Sequence, residues 1–229
     1  MFKYKLIDST YHRSFGIAWL LDAFAERAVR SIWAALDYEG ITDSLPAIVC
    51  AIPHITLSIC QDVDDQQAVR AGLQEFAQES EPFQISFAAL GAFPTPAGTS
   101  VFVQPTATED LLRDHRRFHD RLAPHLLNVS PYYRPGNWLP HCSLGVGLLE
   151  RAAKRALGSC LSLKLPLLGQ VQSVALLEML IHERQVVAGC VRARFSLGDG
   201  RPLPPESCPK PEHCPFIAEH QMDLALQPN

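Results

Sequence analysis

The chain has 229 residues, 20 Lys+Arg against 24 Asp+Glu, and a formal net charge of −4. At 47% hydrophobic and 19% charged, it has a globular composition and enough length to bury a full core without disulfide or metal support. The mild acidity excludes a protein that coats long nucleic acids through bulk charge, but not one that grips a single phosphate.

In chain order, the N-terminus MFKYKLIDSTYHRS lacks the apolar segment of a signal peptide. Residues 15–21 (FGIAWLL) form a short apolar run that fits a buried strand. Asp22 can cap a helix to about Leu36, with Phe24, Ala28, Ile32 and Ala35 in one stripe. Ala47–Cys60 reads as a strand. Ser44 to Gln61 carries no charge, yet Pro46, Pro53 and its hydroxyls make it a buried strand and not a membrane span. Asp64 or Asp65 can cap a second helix through Val69, Leu73 and Phe76. Residues 83–92 read as a strand, FPTPAGT as a turn, and 100–105 as another strand.

A second round follows. Thr108 can cap a helix whose face carries Leu111, His115, Phe118 and Leu122. The loop SPYYRPGN leads into the strand WLPHCSLGVG. A helix spans about 149–159, with strands near 171–180 and 185–196. Asp22 lies 32 residues before His54, Glu109 lies 32 before His141, and the two histidines are 87 apart. The chain is therefore expected to be one duplicated α+β unit over residues 1–198, with motif-bearing halves at about 15–98 and 99–198. Residues 199–229, which hold seven of the 18 prolines, are expected to form an irregular tail.

The repeated strands read Pro53-His54-Ile55-Thr56-Leu57 and Pro140-His141-Cys142-Ser143-Leu144. Side chains alternate along a strand, so His54 and Thr56 share one face, and His141 and Ser143 share another. Each half thus presents an imidazole beside a hydroxyl. Displacement at phosphorus needs a base at the attacking oxygen and an acid at the leaving oxygen. Histidine, titrating near pH ~6.5, serves either role. The hydroxyls can donate to non-bridging phosphoryl oxygens. This chemistry requires no metal and no cofactor, and no carboxylate-rich cluster suggests one.

These motifs resemble the 2H phosphoesterase superfamily, marked by two His-x-[Thr/Ser]-apolar motifs, and most closely its 2′,5′ RNA ligase and RNA 2′,3′-cyclic phosphodiesterase branch. The resemblance covers about residues 15–197. It implies a bilobal α+β fold: two pseudo-symmetric lobes, each an antiparallel sheet flanked by helices, with the motifs lining the cleft between them. It also implies His54 as proton donor, His141 as proton acceptor, and Thr56 and Ser143 as phosphate-binding groups. The expected substrate is an RNA end or small cyclic nucleotide bearing a 2′,3′-cyclic phosphate, opened to a 2′-phosphate, with reversible 2′,5′ RNA ligation, joining the cyclic phosphate to a 5′-hydroxyl, at the same site. Alternatives are ADP-ribose cyclic phosphate, 2′,5′-oligoadenylate, 3′ exonuclease action on RNA, and a non-catalytic nucleotide- or RNA-binding module.

One departure stands out. RNA-processing members often carry an Arg soon after the second motif, where this chain has Gly145-Val146-Gly147. Arg134 is a substitute source of charge, and Tyr132, Tyr133 and Trp138 are candidate substrate contacts. Phe15 and Trp19 read as core. His115 and His119 have helical metal-ligand spacing without an accompanying Glu motif, and the arginines of that helix read as a solvated face. Seven cysteines (50, 60, 142, 160, 190, 208, 214) form no CxxC pair. Buried thiols in a soluble, cytoplasmic protein are expected, and Cys208, His213 and Cys214 do not match zinc-finger spacing.

Overall fold

The helices begin where the sequence offers caps. In a computed structural model of the chain, which describes residues 11–48 and 50–204, the Asp22 side chain accepts from the Ala25 amide, Asp65 from Gln67 and Thr108 from Leu111. Each bond satisfies an amide that the first helical turn leaves open. The elements are β1 (Tyr11–Leu21), α1 (Ala23–Tyr38), β2 (His54–Cys60), β3 (Asp62–Val63), α2 (Gln66–Gln78), β4 (Phe83–Thr95) and β5 (Gly98–Pro105). They continue with α3 (Glu109–Leu122), β6 (Leu126–Leu127), β7 (Cys142–Leu148), α4 (Glu150–Cys160), β8 (Leu167–His182) and β9 (Gln185–Ser196).

Four sequence expectations change, the first in α1, whose buried face is Ala25, Val29, Trp33 and Leu36, one residue on from the expected stripe, with Phe24 and Ala35 exposed. The strand expected from Ala47 begins only at His54. Pro46 and Pro53 lack amide donors, and Cys50 takes a left-handed φ of 61°, so this stretch cannot join a ladder. Conversely, β4 runs on into FPTPAGT as far as Thr95, and the Thr95 hydroxyl closes a tight turn on the Gly98 carbonyl at 2.9 Å. Gly98 has φ 132°, and a Cβ there would lie 2.6 Å from the Gly147 backbone, so only glycine fits. Finally, Cys60, Cys142, Cys160 and Cys190 are free thiols, but Cys50 is disulfide-bonded. Cys208, His213 and Cys214 lie outside the described residues.

Seven strands form one antiparallel sheet in the order β2-β1-β8-β4-β5-β7, with β9 also pairing β8. The long β8 joins two lobes. Its first residues, 167–171, pair β4, and residues 171–182 pair β1. The order is a palindrome of the repeat, with β2 and β7 at opposite ends, β1 and β5 inside them, and β8 and β4 in the middle. Each lobe therefore takes its innermost strand from the other half of the sequence. The expected two-lobed α+β architecture is present. α2 and α3 pack on each other, α2 packs against β8 and β9, and α4 packs against β4, β5 and β7.

One apolar cluster spans both lobes and includes Ile17, Trp19, Ile55, Leu57, Phe76, Phe87, Phe118, Leu144 and Leu176. Burying each such side chain contributes roughly 1.5–3 kcal/mol. Phe15 and Trp19 lie in it, as their positions in the apolar run required. On the other face of β1 and β8, Ala18, Leu20, Ala175, Leu177 and Val191 make a smaller cluster with Ile52. The buried Glu178 carboxylate is bonded by Arg13 and Arg192, which neutralises its charge across β1, β8 and β9. Among the described residues, no helix is long and apolar enough to cross a membrane.

Candidate active site

The end strands β2 and β7 approach each other although they stand at opposite ends of the sheet path. His54 opens β2, and His141 sits one residue before β7. Register fixes which way the motifs face. His54 lies opposite Leu20 and Thr56 opposite Ala18, so both rise from the face of the smaller apolar cluster. Ile55 and Leu57 point into the main core and are fully buried. In the second motif Cys142 and Leu144 are buried while His141 and Ser143 remain half-exposed. The Cys142 thiol is pushed up to about 12 by burial, which makes it a packing group and not a nucleophile.

The two histidines are anchored alike. His54 Nδ1 lies 2.7 Å from the Ile52 carbonyl, and His141 Nδ1 lies 2.7 Å from the Leu139 carbonyl. A ring nitrogen so close to a carbonyl must carry its proton, so in the neutral ring the lone pair is on Nε2. Burial pulls both pKa values below the ordinary histidine value, opposed by the carbonyl bonds. Charge on His54 lowers His141 further. Two imidazoles that resist joint protonation hold one proton between them over a range of pH, which is the state an acid–base pair needs.

Both motif strands are bulged at the same place. On β1 the neighbours Ile17 and Ala18 pair with Ser58 and Thr56, so Leu57 is an extra residue. On β5 the neighbours Val101 and Phe102 pair with Gly145 and Ser143, so Leu144 is extra. A bulge bends a strand and re-aims the side chains beside it. Past the first one the alternation resets, and Ser58 is fully buried instead of continuing the face of Thr56.

Two tryptophans cross-link the motifs reciprocally. Trp33 on α1 donates its indole N–H to the Ser143 carbonyl at 2.9 Å, and Trp138 donates to the Thr56 carbonyl at 2.9 Å. Each half thus holds the other half's motif strand. Phe93 and Phe102 pack against the His141 ring at 5.1 and 5.2 Å. Phe102 fits because it faces Gly91, where a Cβ would stand 2.4 Å from the ring.

The remaining sequence candidates divide. Trp138 is buried and stacks on His115 with ring centroids 3.9 Å apart. Tyr133 is half-buried, and burial pushes its phenol up to about 12. Tyr132, on the same short turn, is 76% exposed. Arg134 lines an open cleft of about 580 Å³ with His119, Asp120, Asn128 and apolar residues. His115 and His119 are buried and both turn Nε2 to the Leu57 carbonyl, at 3.1 and 3.3 Å. Among the described residues no three His, Cys, Asp or Glu groups gather as metal ligands. The arginines of α3 are largely paired: Arg113 with Asp110, Arg117 with Asp114, and Arg121 with Glu75 and Glu79 of α2. Trp33, Phe93 and Phe102 carried no sequence signal, because each reaches the motifs only through pairing or packing distant in the chain.

A family model described as the 2′-5′ RNA ligase superfamily matches residues 22–182. Among solved structures, E. coli LigT complexed with 3′-AMP aligns with a TM-score of 0.54 at 14% identity, covering 81% of this chain and 98% of that one. E. coli LigT complexed with NADP+ aligns at 0.51, 14% identity, 81% and 98%. The Thermus thermophilus protein TT0787 aligns at 0.50, 17% identity, 81% and 98%. At these identities the likeness is one of fold. No curated protein sequence matches the chain.

Proposed function

We propose, for a chain that belongs to the 2′-5′ RNA ligase superfamily, that it is a metal-independent phosphodiesterase that opens 2′,3′-cyclic phosphates on RNA ends or nucleotides to 2′-phosphates. One observation carries the reading. Two histidines stand at the starts of the end strands β2 and β7, each with Nδ1–H fixed by a backbone carbonyl and Nε2 left for chemistry. Binding alone needs no such matched pair of titrating groups. The nucleotides in the LigT structures, 3′-AMP and NADP+, support a nucleotide substrate.

Neutral His141 accepts a proton from water through Nε2 as the water oxygen attacks phosphorus. Protonated His54 gives its Nε2 proton to the departing 3′ oxygen, and the phosphate stays on the 2′ oxygen. The assignment of donor and acceptor follows the superfamily resemblance. Thr56 and Ser143 donate to the non-bridging oxygens, where negative charge grows. Each proton transfer is worth roughly 10²–10⁴-fold. With a 5′-hydroxyl in place of water as the attacking group, the same two proton transfers join RNA ends through a 2′,5′ linkage, and the reverse of that step re-forms the cyclic phosphate.

The test is turnover of 2′,3′-cyclic nucleotides and of RNA ending in a cyclic phosphate, with EDTA present. The expected product is a 2′-phosphate at a rate that EDTA does not change. His54→Ala and His141→Ala should each remove most activity. Micromolar binding without turnover on any cyclic-phosphate or 2′,5′-linked substrate would overturn the reading in favour of a non-catalytic module. Loss of activity in EDTA, restored by a divalent ion, would overturn its metal independence.

A further inference from the structure

The face that carries His54 and Thr56 does not end at β2. The pairing registers extend it across β2, β1, β8 and β9. Thr56 lies opposite Ala18, Ala18 opposite Ala175, and Ala175 opposite Arg194. Two residues along each strand, His54 lies opposite Leu20, Leu20 opposite Ser173, and Ser173 opposite Ser196. Directly paired residues of an antiparallel ladder point to the same side, and so do residues two apart on one strand. Both rows therefore stand on one face. Ala18, Leu20 and Ala175 belong to the smaller apolar cluster there, with Leu177 and Val191. The chain neighbours of Arg194, Ala193 and Phe195, are buried in the main core on the opposite face.

Arg194 is the permanent charge of these rows, and it is held in place. Its Nε donates to Ser173 Oγ at 2.9 Å, so the side chain leans out of the Thr56 row into that of His54. Ser173 is fully buried and Arg194 half-buried. The serine fixes the guanidinium without cancelling its charge. Ser173 is not its sole partner, and five N–H donors let a phosphate join that set or exchange into it. Within its row Ser173 is separated from His54 only by Leu20, a span of two strand spacings, roughly 10 Å between backbones. Leu20, Ala18 and Ala175 offer no charge that would compete for an anion at either end.

We propose that Arg194, anchored by Ser173, is a subsite for a second phosphate, carried on the 5′ oxygen of the nucleoside whose cyclic phosphate lies at His54. The proposal rests on the phosphodiesterase reading for the placing of that first phosphate. The 5′ oxygen and the 2′,3′ oxygens stand on opposite sides of a ribose, so one sugar bridges the gap between the imidazole and the guanidinium. The planar fork of arginine matches two phosphate oxygens at once. A free 5′-phosphate and the phosphodiester of an upstream RNA chain present the same anion to it. The consequence is substrate choice: a cyclic nucleotide with a 5′-phosphate group is preferred to one with a bare 5′-hydroxyl.

The experiment compares kcat/KM on three substrates: adenosine 2′,3′-cyclic phosphate, its 5′-phosphorylated form, and the dinucleotide ApA ending in a cyclic phosphate. The wild type should prefer both 5′-substituted substrates by about tenfold or more, the effect of a charge-assisted hydrogen bond. Arg194→Gln should bring those ratios to within about twofold, and Arg194→Lys, a point charge without the fork, should leave them in between. No preference in the wild type, a preference for the dinucleotide alone, or a ratio unchanged in Arg194→Gln would overturn the proposal. A preference for the 5′-phosphorylated mononucleotide over the dinucleotide supports it with a small nucleotide as the source of the anion. A second readout needs no turnover. By calorimetry, adenosine 2′,5′-bisphosphate should bind the wild type about tenfold more tightly than adenosine 2′-phosphate, and Arg194→Gln should erase the difference. Equal affinities in the wild type would overturn the proposal. If the difference holds and no phosphodiester is turned over, the subsite stands and the proposed function alone fails.

Discussion

A histidine with its Nδ1–H tied to a carbonyl two residues back cannot turn its ring, so the position of Nε2 is set before substrate arrives. The same burial that fixes it also lowers its affinity for a proton, at both His54 and His141. The sign matters for rate. The active state carries one proton on the pair, and it is lost when pH rises through the upper of two lowered values. The kcat/KM profile of the free enzyme should therefore be a bell with its alkaline limb below the ordinary histidine pKa near ~6.5. A profile that stays flat to about pH 8 would contradict this. Replacing Trp33 by Phe removes the donor to the Ser143 carbonyl and should cost about 1 kcal/mol of stability. The same change should slow turnover, and a denaturation series alongside kcat checks both.

Elements meet where small residues allow it. Gly169 on β8 faces Ala25 on α1, and a Cβ there would lie 2.5 Å from the alanine methyl. Gly169→Ala should destabilise by roughly 1–3 kcal/mol, because helix and strand must separate to admit it. At the start of the same helix, Asp22→Ala removes a cap and should cost about 1 kcal/mol. Equilibrium urea unfolding distinguishes these from neutral changes. The caps were legible because a side chain that bonds an amide two or three residues on is a local event. The first motif strand was legible only in part. Its alternation held for His54, Ile55, Thr56 and Leu57, then failed at Ser58 because the bulge adds a residue that no local pattern announces.

Acid stability is a property of the whole molecule, to which each histidine whose pKa burial lowers contributes in the same sense. His115 is almost fully buried, and burial first, then the neighbouring His119, push its pKa down to about 4. In the unfolded chain it titrates near ~6.5. Below that value the unfolded state takes up the proton first, so stability falls as pH drops from about 6.5 towards about 4 and then levels for this group. At about 1.4 kcal/mol per pKa unit the loss is of order 3 kcal/mol at most. His115→Gln should flatten thermal stability over that window. An equally steep decline in the variant would show that other groups carry it.

What the sequence determined by itself was local or periodic: the helix caps, the repeat, the face shared by His54 and Thr56, and the core place of Trp19. A period of two and a repeated Pro-His motif are properties of neighbouring residues, and they survive folding. The tertiary structure alone decided which halves share a strand, since exchanging β4 and β8 changes no local preference. It alone set the two bulges, the tryptophans that reach across them, and the partner of His115 and His119. Those histidines read from spacing as weak metal candidates. Their hydrogen-bond partner is a carbonyl 58 and 62 residues away in the chain, which only the packing of α3 against β2 could bring to them.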